Sequence, residues 1–539
     1  MNFLEQHASR RGFLQGAAAM GLAAGWSASL AACASPGEGT GEGTGSRTGA
    51  GGGKDDGTIT AAISYELGTN GYDPMTTSAA LTVAANWHTL EGLTEIDPAT
   101  RETYAALATA LPATEGTSVE VTLREGATFH DGTPVSADDV VHSFERVQDP
   151  ANMSMYAQFI TFIERVTKKD DRTVTIALKH PTGLLASRLS VVKIVPRAAT
   201  GDAKAFDAHP IGSGPYRMTD NGAASKQVVF ERFDAYTGPR PARAAHMRWQ
   251  IIADPATRTN ALQSGGVQVI DSVPYLSIEQ LTSVASVDSV QGFGLLFAMF
   301  NHAAGHPFAA KENRQAFLRA VDVAKVVQTG LLGQATPATG FLQEGHPDYQ
   351  RARTVYTHDP DRAREQFARA GLRRIRMLCT DHDWVRKCTP IVAESVTAAG
   401  LEVEFAERKS SDLYNTIDGK PDAYDVVIAP GDPSVFGSDP DLLMRWWYAG
   451  DVWTDRRMHW KGQASYERVQ TLLDEGLRAP DAGRRREIWG ELYDTLADEV
   501  PLYPLLHRKT PTGFERSTLV DFTPIALTGL SFLGVASAK

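Results

Sequence analysis

Between residues 375 and 429 five strand and helix patterns alternate. An apolar run at 375–379 (IRMLC) leads to a helical pattern from about Trp384 to Ala399, which Gly400 ends. A second strand pattern at 401–406, a short helix near Leu413 and a third strand pattern at 424–429 follow. Strands joined by helices in this way run parallel, because the helix carries the chain back to its starting edge, and such a sheet needs helices on both faces. The expectation is an α/β fold with a mostly parallel sheet.

Similar signals recur on either side. Residues 58–65 (TITAAISY), 118–123 (SVEVTL), 173–178 and 228–232 read as strands, and 136–147 reads as a helix opened by a Ser136-x-x-Asp139 cap. In DPDRAREQFARAG, 359–371, Asp359 caps a short helix, Pro360 opens it and Gly371 follows it. Helical patterns at 466–477 and 482–497 read as a covering layer ahead of a strand-like VPLYPL at 500–505. No repeat of about 20 to 50 residues is evident, which excludes solenoids and propellers.

The chain opens on an address label. Residues 9–33 read SRRGFLQGAAAMGLAAGWSASLAAC; their apolar part is too short and too rich in Ala and Gly to span a bilayer, which takes about 20 strongly apolar residues. Ser9-Arg10-Arg11-Gly12-Phe13-Leu14-Gln15 resembles the twin-arginine export signal, and Leu30-Ala31-Ala32-Cys33 resembles a lipobox, in which the Cys33 thiol is lipidated. The following 34–57 is almost free of apolar side chains and reads as a flexible tether of roughly 25 to 30 Å. Gly53-Lys54 is not a phosphate loop, since Thr48 stands where the loop's first glycine belongs.

Removing 1–32 leaves 507 of the 539 residues, more than one core supports, so at least two lobes are expected. The net charge of −11 argues against nucleic acid as a partner. Besides Cys33 only Cys379 and Cys388 remain, either paired in an oxidising compartment or free. Motifs of catalysis are missing: Gly212-Ser213-Gly214 lacks the spacing of a nucleophile elbow, and His130-Asp131-Gly132-Thr133 reads as a turn. Thr380-Asp381-His382-Asp383-Trp384 falls at a strand end before a helix. Adjacent side chains diverge, which disfavours a metal there, whereas Trp384 either faces a cleft or packs beneath the loop. Trp446, Trp447, Tyr448, Trp453 and Trp460 crowd one region, as pocket walls or as packing between helices.

FHDGTPVSADDVVHSFER at 129–146 strongly resembles a signature of the solute-binding proteins of peptide and nickel ABC transporters, known as family 5. Ile211-Gly212-Ser213-Gly214-Pro215-Tyr216, Ala261-Leu262-Gln263-Ser264-Gly265, Phe300-Asn301, Pro307-Phe308 and Asn313-Arg314-Gln315-Ala316 fit the same family in order and spacing. The resemblance spans about 60–510 and implies a two-lobed periplasmic-binding-protein clamp of type II. Its divisions would be a signal at 1–32, Cys33 and linker at 33–57, and lobe one at 58–300 with an inserted subdomain at about 97–209. Lobe two would take 301–509, and 510–539 would return to lobe one, with crossings near 297–301 and 506–510. It implies a binding protein rather than an enzyme, without cofactor or metal, acting as a monomer. Held by lipid outside the cytoplasmic membrane, it would deliver an oligopeptide or similar solute to separate permease and ATPase subunits. A sensory or chaperone-like role is the alternative, and a secreted hydrolase would need a catalytic set that no motif supplies. In related peptide binders an acidic residue past the third of these strands pairs with the peptide ammonium, and Asp432 is most similarly placed. The resemblance also puts Gly431, Phe436, Trp384, Trp87, His88, Glu66, Asn301 and Trp447 at or near the cleft.

Overall fold

The computed structural model describes residues 55–68, 71–113, 116–479 and 481–538. Arg10, Arg11, Cys33 and the tether up to Lys54 lie outside them. Eleven strands of the described chain form one mixed sheet. Across it the order is Glu402–Arg408, Arg374–Thr380, Val426–Gly431, Ser286–Phe300, Leu502–Phe514, Val269–Ile270, Thr58–Ile63, His246–Ile251, Gln227–Arg232 and Tyr216–Asn221. Ala335–Pro337 adds to Leu502–Phe514.

The expectation of a mostly parallel sheet needs correction. Arg374–Thr380 is parallel to both neighbours, as is Thr58–Ile63. The two long central strands, however, run antiparallel to each other and to the strands beside them. The cause lies in their task. Each βαβ set closes on itself, and the long strands carry the chain out of one set and back from the other. Their outer ends belong to the side built on Thr58–Ile63, where Ser286 and Val269 both pair with Phe514. Their inner ends belong to the other side, where Leu295–Phe300 pairs with Val426–Gly431.

Between these ends the register breaks. Gln291 pairs with Lys509 and Leu295 with His507, so residues 292–294 face Arg508 alone. A bulge of this kind interrupts the ladder and bends the strand. Gly292 belongs here for a steric reason: a Cβ on it would stand 2.1 Å from the Ala526 carbonyl oxygen.

Most local predictions have visible causes. The helix Ala137–Gln148 starts in a full capping box between Ser136 and Asp139. It covers a separate three-stranded sheet, Ser118–Thr122, Thr173–Leu178 and Ile163–Lys168, within the segment expected as an insertion. The buried Glu91 carboxylate ties this insertion to its lobe by accepting from Arg124, Ser213 and Tyr236. Gly212 and Gly214 lie directly on the end of the helix Ala80–Thr89, where Cβ atoms would come within 2.0 Å of Thr89 O and 2.6 Å of His88 O. Their spacing serves backbone contact.

Candidate functional site

In an open α/β sheet ligands gather beyond the carboxyl ends of the parallel strands. Here Thr58–Ile63 runs into Ser64 and Tyr65, and Arg374–Thr380 runs into His382 and Trp384. The Tyr65 and His382 rings approach from opposite lobes to 6.5 Å. Asp271 holds the first of these ends, accepting from Ser64 N and Oγ, each at 2.7 Å. Burial raises the Asp271 carboxyl above its ordinary value, against the pull of Arg258 and Ser64. Trp384 is half-buried at the start of the helix Asp383–Ala398, and the Arg508 guanidinium lies 4.9 Å over its ring. His382 donates no charge here, because burial lowers its pKa to about 4.

A second part of the cleft is a cavity lined by Trp87, Tyr156, Arg101 and Lys193 from lobe one and by Val435 and Phe436 from lobe two. Its volume is about 50 Å³. One water needs roughly 10–15 Å³ of such space, so the cavity admits a few waters. Lys193 pairs with Glu95 at 2.5 Å, while burial raises the Glu95 carboxyl. Arg101, in the left-handed region at φ 66°, donates to Ser434 O across the cleft at 2.5 Å.

Two further contacts join the lobes. Asp432, just past Val426–Gly431, accepts from Thr528 N at 3.1 Å and Thr528 Oγ1 at 3.0 Å on the returning C-terminal segment. Its other oxygen takes Ser434 N at 3.2 Å and the Ser434 hydroxyl. On the insertion, Arg188 reaches Asp439 and Asp441 of lobe two at 2.5 and 2.8 Å. Aromatic rings line the same seam, with Phe436 edge-on to Tyr156 at 5.2 Å and Trp446 stacked on Phe159 at 6.2 Å.

Of the expected residues, Trp87 and Phe436 share the cavity, and Trp384 lies against the Arg508 guanidinium. Gly431 is required by Trp447, whose ring a Cβ would meet at 2.3 Å. Trp447 is itself 2% exposed, packed on Phe297 and Trp453, and so supports the strand end from below. Glu66 is exposed just beyond Tyr65.

Two expectations are corrected. His88 lies wholly in the core: Nδ1 bonds Ala84 O at 2.7 Å, Nε2 accepts from Phe532 N at 2.9 Å, and burial lowers its pKa to about 4. Asn301 is equally buried and spends its amide on Pro421 O and Tyr424 O. It follows the end of Ser286–Phe300 remote from the bulge, about 20 Å along the strand. The structure adds Arg101, Arg188, Tyr275 and Arg508, which no local motif announces. Cys379 and Cys388 are free buried thiols, raised by burial to about 11 and 12.

No helix among the described residues is long and apolar enough to cross a membrane. Residues 102–463 match the sequence profile of bacterial extracellular solute-binding proteins, family 5 Middle. The glutathione-binding protein GsiB of Escherichia coli O6:K15:H31 (strain 536 / UPEC) is 24% identical over 427 residues, covering 78% of this chain and 83% of its own. Among solved structures, the PBP AgaA from A. tumefacien R10 in complex with agropinic acid has a TM-score of 0.79 at 22% identity, over 90% of this chain and 99% of that one. The oligopeptide-binding protein AppA from Bacillus subtilis, in complex with a nonapeptide, has a TM-score of 0.79 at 17% identity, over 90% and 100%. The match to 102–463 takes in well over half the chain and the whole of one βαβ set, and the chain therefore belongs to the bacterial extracellular solute-binding proteins of family 5, built on the two-lobed periplasmic-binding-protein fold.

Proposed function

We propose that this chain is the solute-binding component of an ABC importer, held outside the cytoplasmic membrane by lipid on Cys33, which traps a peptide or similar small solute between its lobes and releases it unchanged to a permease. The observation that carries this reading is the cleft: aromatic and charged side chains from both lobes converge on one cavity, and the two strands that link the lobes are broken at the bulge. The hinge would be 292–294 and Arg508, slightly inside the expected boundaries at 300 and 509. A solute that touches both lobes binds the closed form more tightly, shifts the population towards it, and so marks the loaded protein for the permease. The ligands named for similar proteins run from glutathione and agropinic acid to a nonapeptide, so the fold leaves solute size open.

Small-angle scattering of the full mature chain, emptied and then reloaded with the solute that co-purifies from its native host, tests the reading. The expected result is a smaller radius of gyration on reloading, with the solute recovered intact. Recovery of a cleaved or modified solute at catalytic yield would reverse it.

The anchor is tested separately. Cys33→Ser is expected to release the protein from the membrane fraction, since a chain without acyl groups keeps no stable hold on a bilayer. Membrane retention with identical processing would remove the lipid from the account.

A further inference from the structure

The cavity that Trp87 and Phe436 share holds an acceptor that the fold leaves unused. Asn86, on the helix Ala80–Thr89, lines this cavity and is 4% exposed. Its Nδ2 donates to Tyr72 O at 3.0 Å, which fixes the amide and leaves Oδ1 buried without a hydrogen-bond partner among the described residues. Its neighbours on the helix are spent on backbone: His88 bonds Ala84 O and Phe532 N, and Thr89 donates to Ala85 O. A buried carbonyl oxygen loses its hydration on folding and recovers it only from a new donor, so Asn86 Oδ1 calls for one.

The other walls limit what that donor is attached to. Lys193 gives two of its three ammonium protons to Glu95, at 2.5 and 2.6 Å, which leaves one for the cavity. The Arg101 guanidinium donates to Ser434 O and keeps its remaining donors. Both cations are already matched, Lys193 by Glu95 and Arg101 by the charges of Asp432 and Asp97. An added carboxylate would meet Glu95, and an added ammonium would meet Lys193 and Arg101. An uncharged group meets neither repulsion. The volume of about 50 Å³ admits a few waters, and so a group of about three heavy atoms.

Resting on the solute-binding reading, we propose that this cavity receives a primary carboxamide of the trapped solute, whose N–H donates to Asn86 Oδ1 and whose oxygen accepts from Lys193. A carboxamide is uncharged, carries donor and acceptor on one carbon and has three heavy atoms. A hydroxyl has one heavy atom and leaves most of the space unfilled.

Difluoroacetamide is the probe. The emptied mature chain is expected to broaden its 19F line, with reversal by excess propionamide but not by propionate, and to leave N,N-dimethyldifluoroacetamide sharp. Asn86→Leu keeps the size and removes the acceptor, and should weaken the broadening at least fivefold. Val435→Trp fills the cavity from lobe two and should abolish it. Equal broadening by Asn86→Leu and wild type, equal broadening of the primary and dimethyl amides, or reversal by propionate overturns the proposal. Should Asn86→Leu misfold by circular dichroism, Val435→Trp carries the comparison, and unchanged broadening there overturns it. The co-purified solute provides an independent arm. If it closes the lobes yet has no carboxamide, the carboxamide fails and solute binding stands. If no solute closes them, solute binding fails and the carboxamide falls with it.

Discussion

Arg188→Met is expected to leave each lobe folded and to hold the clamp open. Arg188 is completely buried at the end of the short helix Leu185–Arg188 in the insertion. It donates to Asp439 through Nε at 3.1 Å and Nη2 at 2.5 Å, to Asp441 at 2.8 Å, and to Phe159 O at 2.9 Å. Burial works against its charge, but the two carboxylates more than compensate and raise its pKa. Asp439 also caps the helix Pro440–Tyr448 through Leu442 N, and Asp441 is shared with Arg445 at 2.8 Å. Removing one partner of a buried pair typically costs about 3–5 kcal/mol, because the other is left uncompensated. The partners lie on different lobes, so that cost falls on closure and not on the folding of either lobe. An affinity loss of at least about a hundredfold follows for the co-purified solute. Scattering should report a larger radius of gyration that the solute no longer reduces. Adding Asp439→Asn and Asp441→Asn to Arg188→Met should recover much of the loss, since the contribution belongs to the group. Normal closure combined with a lower unfolding midpoint would make the cluster a staple of the fold instead of a latch.

What could be read from the sequence was what local chemistry controls. The alternation at 375–429 appears as Arg374–Thr380, Asp383–Ala398, Glu402–Arg408, Ser410–Ile417 and Val426–Gly431, because periodicity and caps act within a few residues. Ser286–Phe300 was hidden by its surroundings. Its last six residues are buried on both faces and show no alternation, and its glycines interrupt the pattern at the bulge.

The site divides along the same line. Trp87 and Phe436, placed near the cleft by resemblance, line the cavity. His88 and Asn301 carry equally suggestive polar groups, yet they satisfy backbone atoms of the core, a use that only tertiary structure distinguishes from ligand binding. Arg188 and Asp439 are 251 positions apart, so neither advertises the other.

Asp432→Ala is expected to weaken closure for any solute, amine-bearing or not. The carboxylate that resemblance assigns to a peptide ammonium has both oxygens occupied in the closed form, by Thr528 from lobe one and Ser434 from its own turn. An ordinary intramolecular hydrogen bond contributes about 0.5–1.5 kcal/mol, so losing the two from Thr528 removes roughly 1–3 kcal/mol of the closed state, or about five- to a hundredfold in affinity. An ammonium acceptor makes a different prediction: only an amine-bearing solute should suffer, and its N-acetylated form should bind both variants alike. Acidity provides a second discriminator. Burial raises the Asp432 carboxyl above 3.8 in the closed form, against the opposing effects of Ser434, Thr528 and Arg101. The closed form thus binds the proton more tightly than an open form in which the group is solvated. Its contribution to closure is full below about pH 3.8 and declines as pH rises through the elevated value. Asp432→Asn removes that slope while preserving shape. Closure measured by scattering from pH 3.5 upward should therefore fall more steeply in wild type than in Asp432→Asn, and parallel curves would mean that the carboxylate is solvated in both states and latches nothing.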